Sequence, residues 1–167
     1  MAVELDHDAI KTRIVDILKA NATLFDANDL TKIRFIDVGF PDGDPFNDQM
    51  FPYIFVTNAS PFETIRNKGN TPTSGGNIIV KALDHQFDYD IVCIVNAKSA
   101  REAELNLDDF QKLILELLEA DLSLVGAGSA LVHISFPTGV RHYRQSGTEQ
   151  KGVKGRIITL RCFEETT

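Results

Sequence analysis

The chain has 167 residues, 43% hydrophobic and 25% charged, a mixture that suits one folded domain and excludes wholesale disorder. Its net charge of −7 is uneven: residues 1–137 hold 11 Lys/Arg against 21 Asp/Glu, whereas residues 138–167 hold 6 against 3. No apolar run approaches the roughly 18 residues of a membrane span, and Glu4, Asp6 and Asp8 stand where a secretory signal would be basic.

The first predicted element is a helix over residues 8–21, because Ile10, Ile14, Ile17 and Leu18 recur on one face. Asp6 is placed to cap it. A strand is predicted over 33–40 and stopped by the run PDGDP, residues 41–45, since two prolines and a glycine cannot continue a ladder. Residues 53–58 (YIFVTN) are apolar on both faces at their centre and suit a central strand. Residues 59–76, rich in Pro, Asn, Thr, Ser and Gly and without periodicity, read as a long irregular loop. Gly75-Gly76 lacks a following Gly-Lys-Ser/Thr, so a phosphate loop is excluded.

Two strands follow, 77–83 and 87–96, joined by a turn near Asp84-His85. The uninterrupted apolar run 91–95 marks the second as central. A long helix then starts at Ser99, with Glu102 three residues on as a capping box. Its Ala103, Leu107, Phe110, Leu113, Ile114, Leu115, Leu117 and Leu118 span about 200° of the helical wheel, wider than one surface stripe. That surplus, with Leu113 and Leu115 in it, is expected to meet a second helix or a neighbouring subunit. After Gly126-Ala-Gly128, a strand over 130–140 leads to a polar hairpin tip at 141–154. A last strand over 155–163 sets Ile158, Leu160 and Cys162 against Ile157, Thr159, Arg161 and Phe163. The fold class expected is α+β: a single mixed or antiparallel sheet, two helices packed on one face, and an extended C-terminal hairpin.

Chemistry is sparse. The turn after the 87–96 strand, Asn96-Ala97-Lys98-Ser99, holds neither a nucleophile nor a glycine-rich loop. His133 beside Ser135 could be half of a catalytic pair, but the four histidines sit in separate elements. Asp88 and Asp90 share a strand face and could hold a cation; the plainer reading is two solvated carboxylates. Asp37, Asp42, Asp44 and Asp48 lack the spacing of a calcium loop. Cys93 and Cys162 lie in strand-like runs and read as reduced, packed thiols. No catalytic, cofactor or metal site is expected. Arg141, Arg144, Lys151, Lys154 and Arg156 concentrate positive charge near the C-terminus, either as a solvated hairpin edge or as a basic surface for an anionic partner.

In its order of elements the chain resembles the tail-terminator and tail-completion proteins of tailed bacteriophages. The likeness rests on the amphipathic opening helix, on Pro52-Tyr-Ile-Phe-Val-Thr57, on Tyr89-Asp-Ile-Val-Cys-Ile-Val95 entering the long helix, and on the closing Gly155-Arg-Ile-Ile-Thr-Leu-Arg-Cys-Phe163. It covers most of the chain, although 59–76 has no counterpart in that pattern. The resemblance implies a non-enzymatic virion protein of the tail or neck, made in the host cytoplasm. Such proteins form homo-oligomeric rings, commonly hexameric, that contact the tail tube protein and the head-completion or connector protein, with DNA passing transiently and no membrane involved. In such a ring Arg141, Arg144, Lys151, Lys154 and Arg156 would form a docking or lumen surface. The competing expectation is a small cytosolic α+β enzyme or ligand-binding domain with a pocket under 59–76.

Overall fold

The computed structural model describes residues 6–22, 35–39, 52–67, 70–72, 78–80, 83–126, 129–130, 132, 134–143 and 153–166. Asp6 opens the first helix: its carboxylate accepts from the amides of Asp8 and Ala9 at 3.1 and 2.9 Å, satisfying donors that a helix start leaves without partners. Helix α1 (His7–Ala20) buries Ile10, Ile14, Val15, Ile17 and Leu18. Each such side chain removes enough apolar surface from water to contribute about 1.5–3 kcal/mol before ordering entropy is counted.

The strands follow as β1 (Phe35–Val38), β2 (Tyr53–Asn67), β3 (Asn70–Pro72), β4 (Ile78–Val80) and β5 (Leu83–Asn96). Helix α2 (Ala100–Glu119) comes next, then β6 (Val125–Gly126), β7 (Ser129–Ala130), β8 (Ile134–Tyr143) and β9 (Val153–Thr166). Five of them form one sheet in the order β1-β2-β5-β9-β8, while β3-β4 and β6-β7 are separate two-stranded ribbons. β1 is parallel to β2 and every other pairing in the large sheet is antiparallel. The fold is therefore α+β with a mixed sheet, as the sequence pattern led us to expect.

Helices α1 and α2 cover one face. There Ile54, Val56, Tyr89, Ile91, Cys93, Ile158, Leu160 and Cys162 pack against Ile10, Ile14, Leu18, Leu107, Phe110, Ile114 and Leu118. On the opposite face a smaller buried cluster, Tyr53, Phe55, Val92 and Ile94, is flanked by Phe35, Tyr143, Val153 and Ile157. Gly155 lies beneath that second cluster. A Cβ there would stand 2.7 Å from Tyr143 Cβ, so only glycine lets the two strands and the aromatic ring approach this closely.

Two expectations are corrected. Residues 59–67 are not loop but the continuation of β2, paired with β5 out to Asn67↔Leu83, and 70–72 belong to the β3-β4 ribbon. The pairing is irregular, which hides it from any alternation test: between Asn58↔Tyr89 and Glu63↔Phe87 the chain takes five steps along β2 against two along β5. Likewise Asp84-His85 is not a turn. Those residues sit inside β5, paired with Arg66 and Ile65 on one side and Glu165 and Glu164 on the other. Ladder partners on both edges satisfy a backbone whose residue types favour turns, so tertiary context overrides local preference.

The end of α2 is held by a compact joint. Asp121 accepts the Val125 amide on both carboxylate oxygens, at 3.0 and 3.1 Å, and accepts from Arg13 of α1 at 3.2 Å. Leu124, fully buried, adopts φ of 48°, a left-handed conformation that costs a non-glycine residue about 1 kcal/mol and is held here by its packing.

Candidate functional site

The register of β9 decides where the C-terminal cations go. Even-numbered residues from Lys154 to Cys162 face the helices, and odd-numbered residues face away. Lys154 therefore reaches Glu104 of α2. Arg156 donates to Glu104 Oε2 at 2.9 Å, to Gln111 Oε1 at 2.7 Å and to Asp108. Its side chain is almost wholly buried under the helix. Three acceptors on successive turns of α2 thus converge on one guanidinium, a planar fork suited to several acceptors. Hydrogen bonding from Lys154, followed by the charges of Lys154 and Arg156, holds the Glu104 carboxyl below its ordinary range.

Arg141 points the other way. It lies opposite Ile157 on the face away from α1 and α2, donating to Thr159 Oγ1 at 2.7 Å and to Asp90, while Thr159 Oγ1 donates to Asp90 Oδ1 at 2.7 Å. Beside it Arg161 grips Asp88 through two parallel bonds of 2.9 Å. With its amide oxygen turned toward that guanidinium, Gln86 accepts at 2.8 and 3.0 Å. These groups border a shallow depression of about 290 Å³, lined by Ala59 and Ser60 at the β2 irregularity, Thr138 to Arg141 at a second irregularity in β8, and Asp88, Thr159 and Arg161.

The expected basic surface is thereby corrected. Strand alternation splits it: Lys154 and Arg156 anchor α2, and Arg141 joins an ion-paired stripe on the opposite face. Arg144 and Lys151 lie outside the described residues. Leu113 and Leu115 are partly buried and pack against the main core, so α2 satisfies much of its wide apolar arc within its own chain. Leu105, which sequence reasoning passed over, is the α2 side chain that stands out, 56% exposed.

Asp88 and Asp90 do share a face, as alternation requires, yet they are buried and paired with Arg161 and Arg141 instead of being solvated or open to a cation. The Ser135 hydroxyl donates to Leu122 O at 2.9 Å, and His133 lies outside the described residues. Cys93 and Cys162 are free and buried, and burial pushes the Cys93 thiol up to about 12 and the Cys162 thiol up as well. Among the described residues no group of three or more His, Cys, Asp or Glu side chains is arranged to hold a metal ion. No described helix is long and apolar enough to cross a membrane. The arrangement is one of mutually paired charges on the two faces of the large sheet.

No family model matches the chain, and no curated protein matches it. Among solved structures it is similar to a chain of the "Virion of native gene transfer agent (GTA) particle", at 12% identity and a TM-score of 0.56. The alignment covers 99% of this chain and 100% of that one. At that identity the likeness shows a shared fold.

Proposed function

We propose that this chain is a non-enzymatic structural protein of a phage-like particle, acting as a ring-forming tail terminator or neck component that caps the tail tube and joins it to the head connector. The observation that carries this reading is the end-to-end fold correspondence with a chain of a gene transfer agent virion, with neither chain left over. It agrees with the order of elements that resembles the tail-terminator proteins. The internal pairing of Asp88, Asp90, Arg141, Arg156 and Arg161 also favours a structural part over a turnover site. The ring would be homo-oligomeric, with the tail tube protein on one side and a head-completion protein on the other.

Electron microscopy of particles made with and without this chain tests the proposal. Density for the chain at the head–tail joint, and particles with unjoined heads and tails in its absence, are expected. Intact particles lacking any position for it would overturn the reading.

A further inference from the structure

The large sheet ends in two unlike edges, β1 on one side and β8 on the other. Hydrogen-bond alternation shows which backbone groups of each edge point outward. The Ser135 amide donates to Leu122 O at 2.6 Å, away from β9, so β8 residues opposite even-numbered β9 residues face outward. Along β8 these are Ser135, already engaged; Pro137, which has no donor; and then Val140 and His142. The first half of this edge is thus guarded and the second half presents two outward backbone pairs. On β1, the Gly39 amide donates inward to Val56 O at 2.8 Å, so Ile36 and Val38 face outward. Each edge therefore offers two outward residues, two apart, flanking one inward residue, Arg141 on β8 and Asp37 on β1; on β1 the outward Val38 amide donates to Asp37 Oδ1 at 2.8 Å, a local bond that must be exchanged before that amide pairs across a seam.

Those two central residues lie at opposite ends of one rung. Asp37 is opposite Phe55, Phe55 opposite Val92, Val92 opposite Ile157, and Ile157 opposite Arg141. β1 and β8 also run in opposite directions, since one pairing in the sheet is parallel and three are antiparallel. In a closed ring whose axis lies square to that rung, copies are related without rise, so the two ends of the rung meet, and they meet antiparallel. Val140 (42% exposed) then faces Val38 of the second copy on the helix side, and His142 faces Ile36. Arg141, its side chain 52% exposed, faces the exposed Asp37 of the second copy at the close, non-hydrogen-bonded position between two backbone-bonded pairs.

We infer that residues 140–142 of β8 pair with β1 of a second copy of this chain, with Arg141 opposite Asp37 of that copy, making one continuous sheet across the seam. The inference rests on the ring reading and names its contact. Mixing Asp37→Cys with Arg141→Cys under oxidising conditions tests it, because directly opposed strand residues fall within disulfide reach. A cross-linked dimer is expected from the mixture and from neither variant alone. Val140→Pro removes an outward amide while leaving the β9 ladder intact. It should keep the monomer's melting temperature and weaken self-association by about tenfold or more, measured by sedimentation. A mixture that cross-links no better than its components, or a Val140→Pro chain that associates like wild type, overturns the inference. Rings of normal appearance in particles carrying Val140→Pro would overturn the seam while leaving the ring reading intact, whereas a wild-type chain missing from the particle would overturn both.

Discussion

Arg156 reaches α2 from beneath and satisfies Glu104, Asp108 and Gln111 together, so truncating it removes three bonds while leaving two carboxylates close to each other. Arg156→Ala should lower stability to urea by about 1–2 kcal/mol, the modest end for charged bonds because Asp108 is well exposed. Arg156→Lys should recover only part of this, since an ammonium cannot fork to all three acceptors. Gly155→Ala tests a different limit. The new methyl meets Tyr143 Cβ and Ile94 Cγ1, side-chain atoms near rigid backbone, and should cost about 1–3 kcal/mol by thermal denaturation. The buried thiols of Cys93 and Cys162 should be unreactive toward an aromatic disulfide reagent in the native state at pH 8 and react together on unfolding. Rapid native labelling of either would contradict the burial described.

At the scale of elements, α2 is attached by two kinds of force with different pH responses. Apolar packing of Leu107, Phe110, Ile114 and Leu118 is indifferent to pH, whereas the Glu104 contacts depend on ionisation. The Glu104 pKa is lowered in the folded state, so its contribution is complete above the ordinary carboxylate value and is lost as pH falls through the lower folded value. Unfolding measured between pH 6 and about pH 3 should therefore show falling stability, with a shallower fall in Glu104→Gln. Much at this scale was legible in the sequence. The period of α1, the Ser99 cap accepting from the Glu102 amide at 3.2 Å, the continuous apolar centre of β5 and the two-sided β9 all follow from spacing alone. The second half of β2 was not legible, because its strand character comes from a β5 partner that sequence periodicity cannot see. Nor were the partners of Lys154 and Arg156 legible: charge counting summed cations that one-residue alternation sends to opposite faces.

For the whole molecule, the five-stranded sheet is the common frame. β5 and β9 are two of its three inner strands, paired along 14 residues from Leu83↔Thr166 to Asn96↔Val153, and α2 lies across them while α1 lies over β1 and β2. Amides at the centres of β5 and β9 should exchange with deuterium only through global unfolding, while those of Val140 and His142 exchange quickly in the monomer and slowly in the assembled state. Equal protection of Val140 and Ile158 in the monomer would contradict the outward assignment. The regular β5-β9 ladder also carries an implication for how this protein can change over time. Inserting or deleting a single residue between Lys154 and Leu160 would rotate everything beyond it by half a turn, exchanging the Leu160 and Cys162 side chains with Arg161 and Phe163. Greasy groups would face outward and a cation would be thrust under the helices. Length variation is therefore barred from this segment, and lineages of this protein should differ in size elsewhere.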